Sequence, residues 1–272
     1  RVIDTPISEA ALMGAGVGAA ATGLRPVVDL MFVDLIGFCL DQLMNQAAKM
    51  RYIFGGKCSV PLTVFAASGA GLAQGAHHSQ CLYSVFVHIP GLKCVAPSNP
   101  YNAKGLLISA IRDDDPVVYC MDKMSLFTIR AEVPEEAYTV PLGKANISRP
   151  GKDVTLVGIS KMTNVCLEAA KELDKAGIDA EVIDLLSLFP LDEDTVLSSV
   201  QKTGKLVIVD EDYPHCNVAT DIAAVVADQA FDYLDAPIRR VCPPHTPIPF
   251  AAELESEYVP NAVKVVAAVQ SI

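Results

Sequence analysis

Several things are missing from this chain of 272 residues. It has no lysine- or arginine-rich run, no CxxC pair, no GxxxxGK[ST] phosphate loop and no GxSxG nucleophile elbow. No apolar run reaches the ~20 residues that a membrane helix needs, and no signal peptide is recognisable. Each absence narrows the function. Lys and Arg number 21 against 32 Asp and Glu, a net charge of −11. Nucleic-acid phosphates would be repelled, so no nucleic-acid partner is expected. Only 19% of residues are charged and 51% are hydrophobic, which argues against disorder. Eight cysteines stand at 39, 58, 81, 94, 120, 166, 216 and 242, several inside apolar segments such as LKCVAP and NVCLEAA. They read as reduced thiols in a reducing compartment, and a cytoplasmic location is expected. The chain opens on Arg and enters patterned sequence at once, which reads as a fragment or a processed chain.

What is present is alternation. RPVVDLMF reads as a buried strand followed by a helix over 38–50, VPLTVFAAS as a second strand, and SGAGLAQGAHHSQ as a glycine-rich loop. GLKCVAPSN is strand and turn, PYNAKGLLISAIRDDD a helix, and PVVYCMD a strand. Ahead of these, Thr5 is expected to cap a helix with Pro6 in its first position, running through Ala20. Gly14, Gly16 and Gly18 would leave one face of it open to close approach. IRAEVPEEAYTVPLGKANISRPGK lacks a 3.6 period and reads as a linker. Alternation then resumes from DVTLVGIS to IRRVCPP. The expectation is an α/β protein of two parallel-sheet domains, residues 1–140 and 141–272.

Between Asp4 and Arg25 only Glu9 is charged. A first-turn acid can simply complement the helix dipole. A shielded carboxylate would instead need a partner that shares its proton, such as a ring nitrogen. His77 and Cys81 have helical metal-ligand spacing, but supply two ligands at most. Cys81 with His78 or His88 could form a nucleophile pair, and His78 alone could be a general acid/base or a structural histidine. The acidic triplet in IRDDDP is either solvated surface or a turn whose carbonyls hold a cation.

Taken together, RVIDTPISEA, AAKMRYIFGG, HHSQC, PGLKCVAPSNPYNAKGLLISAIRDDDPVV and GKDVTLVGIS resemble the beta subunit of thiamine-diphosphate-dependent 2-oxo acid dehydrogenase components. DLMFVDL, VDEDYP and PHTPIPF look most like the acetoin dehydrogenase branch. The resemblance implies a transketolase-like pyrimidine-binding domain followed by a transketolase C-terminal domain. It implies a heterotetramer of two alpha and two beta chains that hands its product to a lipoyl acyltransferase core. The alpha subunit would hold the diphosphate and Mg²⁺, which accounts for the missing phosphate loop. Glu9 would meet N1′ of the cofactor's aminopyrimidine, and His78 would transfer a proton. Ile7, Met31, Leu35 and Phe38 would line the pyrimidine pocket. The pyruvate enzymes carry an aromatic at Leu35 and Gln at Phe38, which favours acetoin over pyruvate or a branched-chain 2-oxo acid. In some members backbone carbonyls hold potassium, and the matching positions are Leu62, Ala110, Asp113 and Asp115.

Overall fold

A computed structural model describes residues 1–272. Ten strands run along the chain: β1 Val27–Phe32, β2 Thr63–Ser68, β3 Lys93–Val95, β4 Val117–Asp122, β5 Asn146–Arg149, β6 Val154–Gly158, β7 Ala180–Asp184, β8 Ser187–Phe189, β9 Leu206–Val209 and β10 Arg239–Val241. They form two five-stranded sheets, ordered β1-β2-β4-β3-β8 and β10-β9-β6-β7-β5. Within each, four strands are parallel and one edge strand, β8 or β5, is antiparallel. β4, β6, β7 and β9 are buried along their whole lengths. That fits their Val/Ile/Leu-rich composition, since helices cover both faces of a parallel sheet.

The local signals of the helices are visible in places. Asn99 caps Pro100–Arg112 by accepting the Asn102 N–H, with Pro100 in the first turn. Asn217 and Asn261 cap Val218–Gln229 and Ala262–Gln270 in the same way. Three expectations need correction. The first helix is Glu9–Ala21, not a helix capped by Thr5; its N-cap is Ser8, and residues 1–8 are exposed. The helix expected over 38–50 is three pieces, a 3₁₀ turn Val33–Phe38, a π-helical stretch Gln42–Ala47 and an α-helix Ala48–Ile53. DAEVIDLLS is not one strand: after β7 the chain turns at Leu186, with φ of 55°, and β8 joins the other sheet beside β3.

That crossing brings the two sheets together. Residues following β2 and at the end of β4 in the first sheet face residues following β6 and β9 in the second. Lys161 donates to the Ala70 carbonyl at 3.1 Å and pairs with Asp122 at 3.4 Å, while Glu211 accepts the Ala70 N–H at 2.7 Å. Ligands of open α/β sheets bind outside the carboxyl ends of the strands, and here two such edges meet. The eight cysteines are all free, and no helix is long and apolar enough to cross a membrane.

Candidate functional site

β1 ends in a bulge: Asp29 pairs with Phe65, and the next registered pair is Phe32 with Ala67. The extra residue includes Met31, which takes φ of 64° while its N–H donates to the Asp29 carboxylate at 2.8 Å. Bulges re-aim side chains, and Met31 is left 57% exposed. The 3₁₀ turn that follows carries Leu35, half-buried, and Phe38, 68% exposed. Glu9 begins the helix that packs against this turn. Burial, and then the charge of Glu9, pushes the Cys39 thiol up to about 11, so the carboxylate lies close to the end of the turn. Glu9 itself is half-buried, so one chain shields it only in part. Ile7, on the extended segment ahead of it, is 91% exposed. Ile7, Met31 and Phe38 thus leave large apolar side chains uncovered on the segments that flank Glu9 and the turn.

His78 sits on the loop between β2 and the short helix Tyr83–Val87. Gly69 opens the loop at φ of 90°, where a Cβ would press on the Asp122 carboxylate, and its N–H donates to the Gln80 carbonyl at 3.0 Å. The exposed imidazole stands edge-on to Phe32, ring centres 5.2 Å apart. Three groups from the second half of the chain reach this loop. Glu211 takes the Ala70 N–H, Glu255 takes the Ala73 N–H at 2.8 Å, and the Tyr213 hydroxyl donates to the Gln80 amide oxygen at 3.4 Å. Tyr213 in turn meets His245 edge-on, and His245 meets His215 at 4.6 Å between ring centres. VDEDYP and PHTPIPF, the segments that resemble the acetoin branch, contain Glu211, Tyr213 and His245, but the sequence assigns no site role to these residues, nor to His215 or Glu255.

The competing readings of HHSQC lose support. Cys81 is buried, and burial followed by the charges of Glu211 and Asp212 raises its pKa well above the thiol range, the reverse of an activated nucleophile. No group of three or more His, Cys, Asp or Glu is placed to hold a metal. Leu62, Ala110, Asp113 and Asp115 lie away from the His78 loop, around the amino end of β4. The Leu62 carbonyl accepts the Val117 N–H, and Ala110 the Asp113 N–H, leaving each a spare lone pair. Lys93 holds the Asp113 carboxylate, Arg51 that of Asp115, and Arg25 that of Asp114. A cavity of about 590 Å³ bounded by Arg51, Tyr52, Val60, Leu92 and Phe189 lies on this side too, and neither Glu9 nor His78 lines it.

Comparison with known proteins decides the family. Residues 1–128 match the transketolase pyrimidine-binding domain and 143–265 the transketolase C-terminal domain. The beta subunit of an acetoin:2,6-dichlorophenolindophenol oxidoreductase of Bacillus subtilis is 58% identical over 98% of this chain and 78% of its own length. The chain belongs to the dehydrogenase beta-subunit family with transketolase-like domains. A second acetoin oxidoreductase beta subunit, from Cupriavidus necator, is 56% identical over 98% of this chain and 79% of its own. The pyruvate dehydrogenase E1 beta subunit of Rhizobium meliloti is more distant, 46% identical over the whole of this chain and 59% of its own. A solved structure, a split-gene transketolase described as an inactive beta4 tetramer, superposes with a TM-score of 0.81 at 24% identity, covering 97% of this chain and 82% of that one, and shares the fold. In this family frame, β1–β4 fall within the pyrimidine-binding match and β5–β10 within the C-terminal match, with β8 crossing over to the first sheet.

Proposed function

We propose that this chain is the beta subunit of a thiamine-diphosphate acetoin dehydrogenase, working with an alpha subunit in a tetramer of two of each. The observation that carries the reading is the identity gap, 58% and 56% to two acetoin oxidoreductase subunits against 46% to a pyruvate dehydrogenase subunit. The residues present suit the cofactor: the helix that a half-buried carboxylate begins packs against a turn whose flanking segments leave apolar side chains uncovered, a surface that a heterocycle and a partner chain could cover. When bound, the cofactor supplies the carbanion chemistry that splits acetoin to acetaldehyde and passes the two-carbon unit oxidatively to a lipoyl group of the acyltransferase core. Glu9 holds a proton with the pyrimidine N1′, and exclusion of water brings the two basicities together. Ile7, Met31, Leu35 and Phe38 orient the ring. His78, seated edge-on against Phe32, serves as the proton-transfer group during the reaction or the transfer to lipoyl. The alpha subunit holds the diphosphate and Mg²⁺. Backbone oxygens of Leu62, Ala110, Asp113 and Asp115 are hard donors of the kind potassium takes. The free cysteines accord with a reducing, cytoplasmic setting.

The test is dye reduction by the reconstituted alpha–beta complex offered acetoin, pyruvate or a branched-chain 2-oxo acid. Highest turnover on acetoin is expected, and higher turnover on pyruvate overturns the substrate. Glu9→Gln is expected to lower turnover at least ~100-fold with assembly intact. Normal turnover would make this chain an assembly subunit without catalytic residues.

A further inference from the structure

The turn that carries His78 is held at its two ends by opposite charges. On one side, a single oxygen of Asp34 accepts both the Gln80 backbone N–H at 3.1 Å and the Gln80 side-chain amide at 2.9 Å. On the other, the Lys123 ammonium donates to the His78 carbonyl and, at 3.1 Å, to the Gln74 amide oxygen. The same ammonium lies 4.8 Å from the centre of the Phe32 ring, the ring that meets His78 edge-on. Asp34 lies in the 3₁₀ turn that bears Leu35 and Phe38, and Lys123 directly follows β4. Two rigid elements of the first sheet therefore grip the His78 turn from outside, and Phe32 gives the imidazole its seat.

Nothing about simple folding requires this. Lys123 is 3% exposed. Burial lowers its pKa, opposed by the charges of Asp34, Cys81, Asp122 and Glu211. Burying an ammonium where a loop carbonyl is its main partner is unfavourable unless the position of that loop matters. A displacement of about 1 Å at a proton-transfer group is enough to lose much of its effect.

We propose that Asp34 and Lys123 are positioning residues that fix the His78 turn in its working place. This rests on the reading of His78 as a proton-transfer group. In the reconstituted complex, Asp34→Ala is expected to lower kcat at least tenfold with KM within twofold. Asp34→Asn, which keeps an acceptor oxygen for the Gln80 N–H, should recover to within about threefold of wild type. Lys123→Met, acting at the other end of the turn, should lower kcat to a similar degree. Hydrogen exchange of the His78–Gln80 peptide gives a readout independent of turnover: it should accelerate at least tenfold in Asp34→Ala and stay near wild type in Asp34→Asn. Unchanged exchange in Asp34→Ala, or equal turnover losses in the Ala and Asn variants, overturns the proposal. His78→Ala separates the two layers. Full turnover in that variant overturns the role of His78 and the positioning role with it. Lost turnover in His78→Ala beside full turnover in Asp34→Ala and Lys123→Met overturns the positioning role alone.

Discussion

The Lys161 ammonium lies 2.8 Å from a Glu211 oxygen and 3.4 Å from one of Asp122. Asp122 ends β4 of the first sheet, whereas Lys161 and Glu211 follow β6 and β9 of the second. Both acids are buried. Burial works against the charge of Lys161, and the charges of Glu211 and Asp122 outweigh it and raise its pKa. Burial raises the Glu211 pKa as well, with Lys161 pulling it down and Asp122 pushing it up. The lysine is thus the cation on which two buried carboxylates depend. Lys161→Met would strand both, and the expected loss is on the order of 3–5 kcal/mol. Urea denaturation of the purified chain reads it directly, and a midpoint within error of wild type would show the cluster to be neutral. Adding Asp122→Asn and Glu211→Gln to the same chain should restore part of the loss.

Asp210 gives a pH dependence with a definite sign. Burial, then the charge of Asp212, pushes it up to about 7, from an ordinary aspartate value of 3.8. Between those values the folded chain holds a proton that the unfolded chain has released. Stability from this group is therefore full at low pH and falls as pH rises through the window. Asp184, pushed up to about 6 by burial against hydrogen bonds from Ser98, Thr163 and Asn102, acts in the same sense. The measurement is consequently a difference: Asp210→Asn should become progressively more stable than wild type from pH 4 to about pH 7 and level off above it. A difference that stays flat across that range would contradict it.

Gly91 sits at φ of 100° between the helix Tyr83–Val87 and β3, and a Cβ there would run into the Ala48 carbonyl. The obstacle is backbone, so no side chain can swing aside. Gly91→Ala is expected to cost on the order of 2–4 kcal/mol by combining steric overlap with an unfavourable φ. Gly177→Ala has the same kind of φ, 78°, but open space around it, and should cost about 1 kcal/mol. Thermal midpoints of the two variants check the ranking, and an equal shift would mean that overlap adds nothing.

These sites show where sequence could and could not be read. PYNAKGLLISAIR announced its helix because the cap, the proline and the apolar spacing are all local. The same local signal failed at Thr5 and Pro6, whose segment has nothing to pack on within the chain and stays exposed. In DAEVIDLLSLF residues 180–188 are buried without a break, the acids Glu181 and Asp184 included, so no period marks the turn at Leu186 or tells which sheet receives Ser187–Phe189. Glu9 and His78 could be picked out as an isolated acid and a histidine after a glycine loop. Asp34, Lys123, Glu211 and Tyr213 could not, because their importance arises only when strands far apart in sequence bring their carboxyl ends together.

Met31 tests whether strain at the site serves function. At φ of 64° a methionine is costlier than a glycine by about 1 kcal/mol. Its side chain is 57% exposed, so removing it from the isolated chain gives up little burial. Met31→Gly should therefore hold or raise the thermal midpoint of the free subunit. Met31→Ala keeps the strain and loses the side chain, so it should show no such gain. If the bulge exists to present that side chain to the pyrimidine ring, both variants should raise the thiamine diphosphate concentration needed for half-maximal activity of the reconstituted complex, roughly tenfold for the loss of one apolar contact. Improved stability in Met31→Gly with unchanged cofactor dependence would show that the strained residue has no part in the pocket.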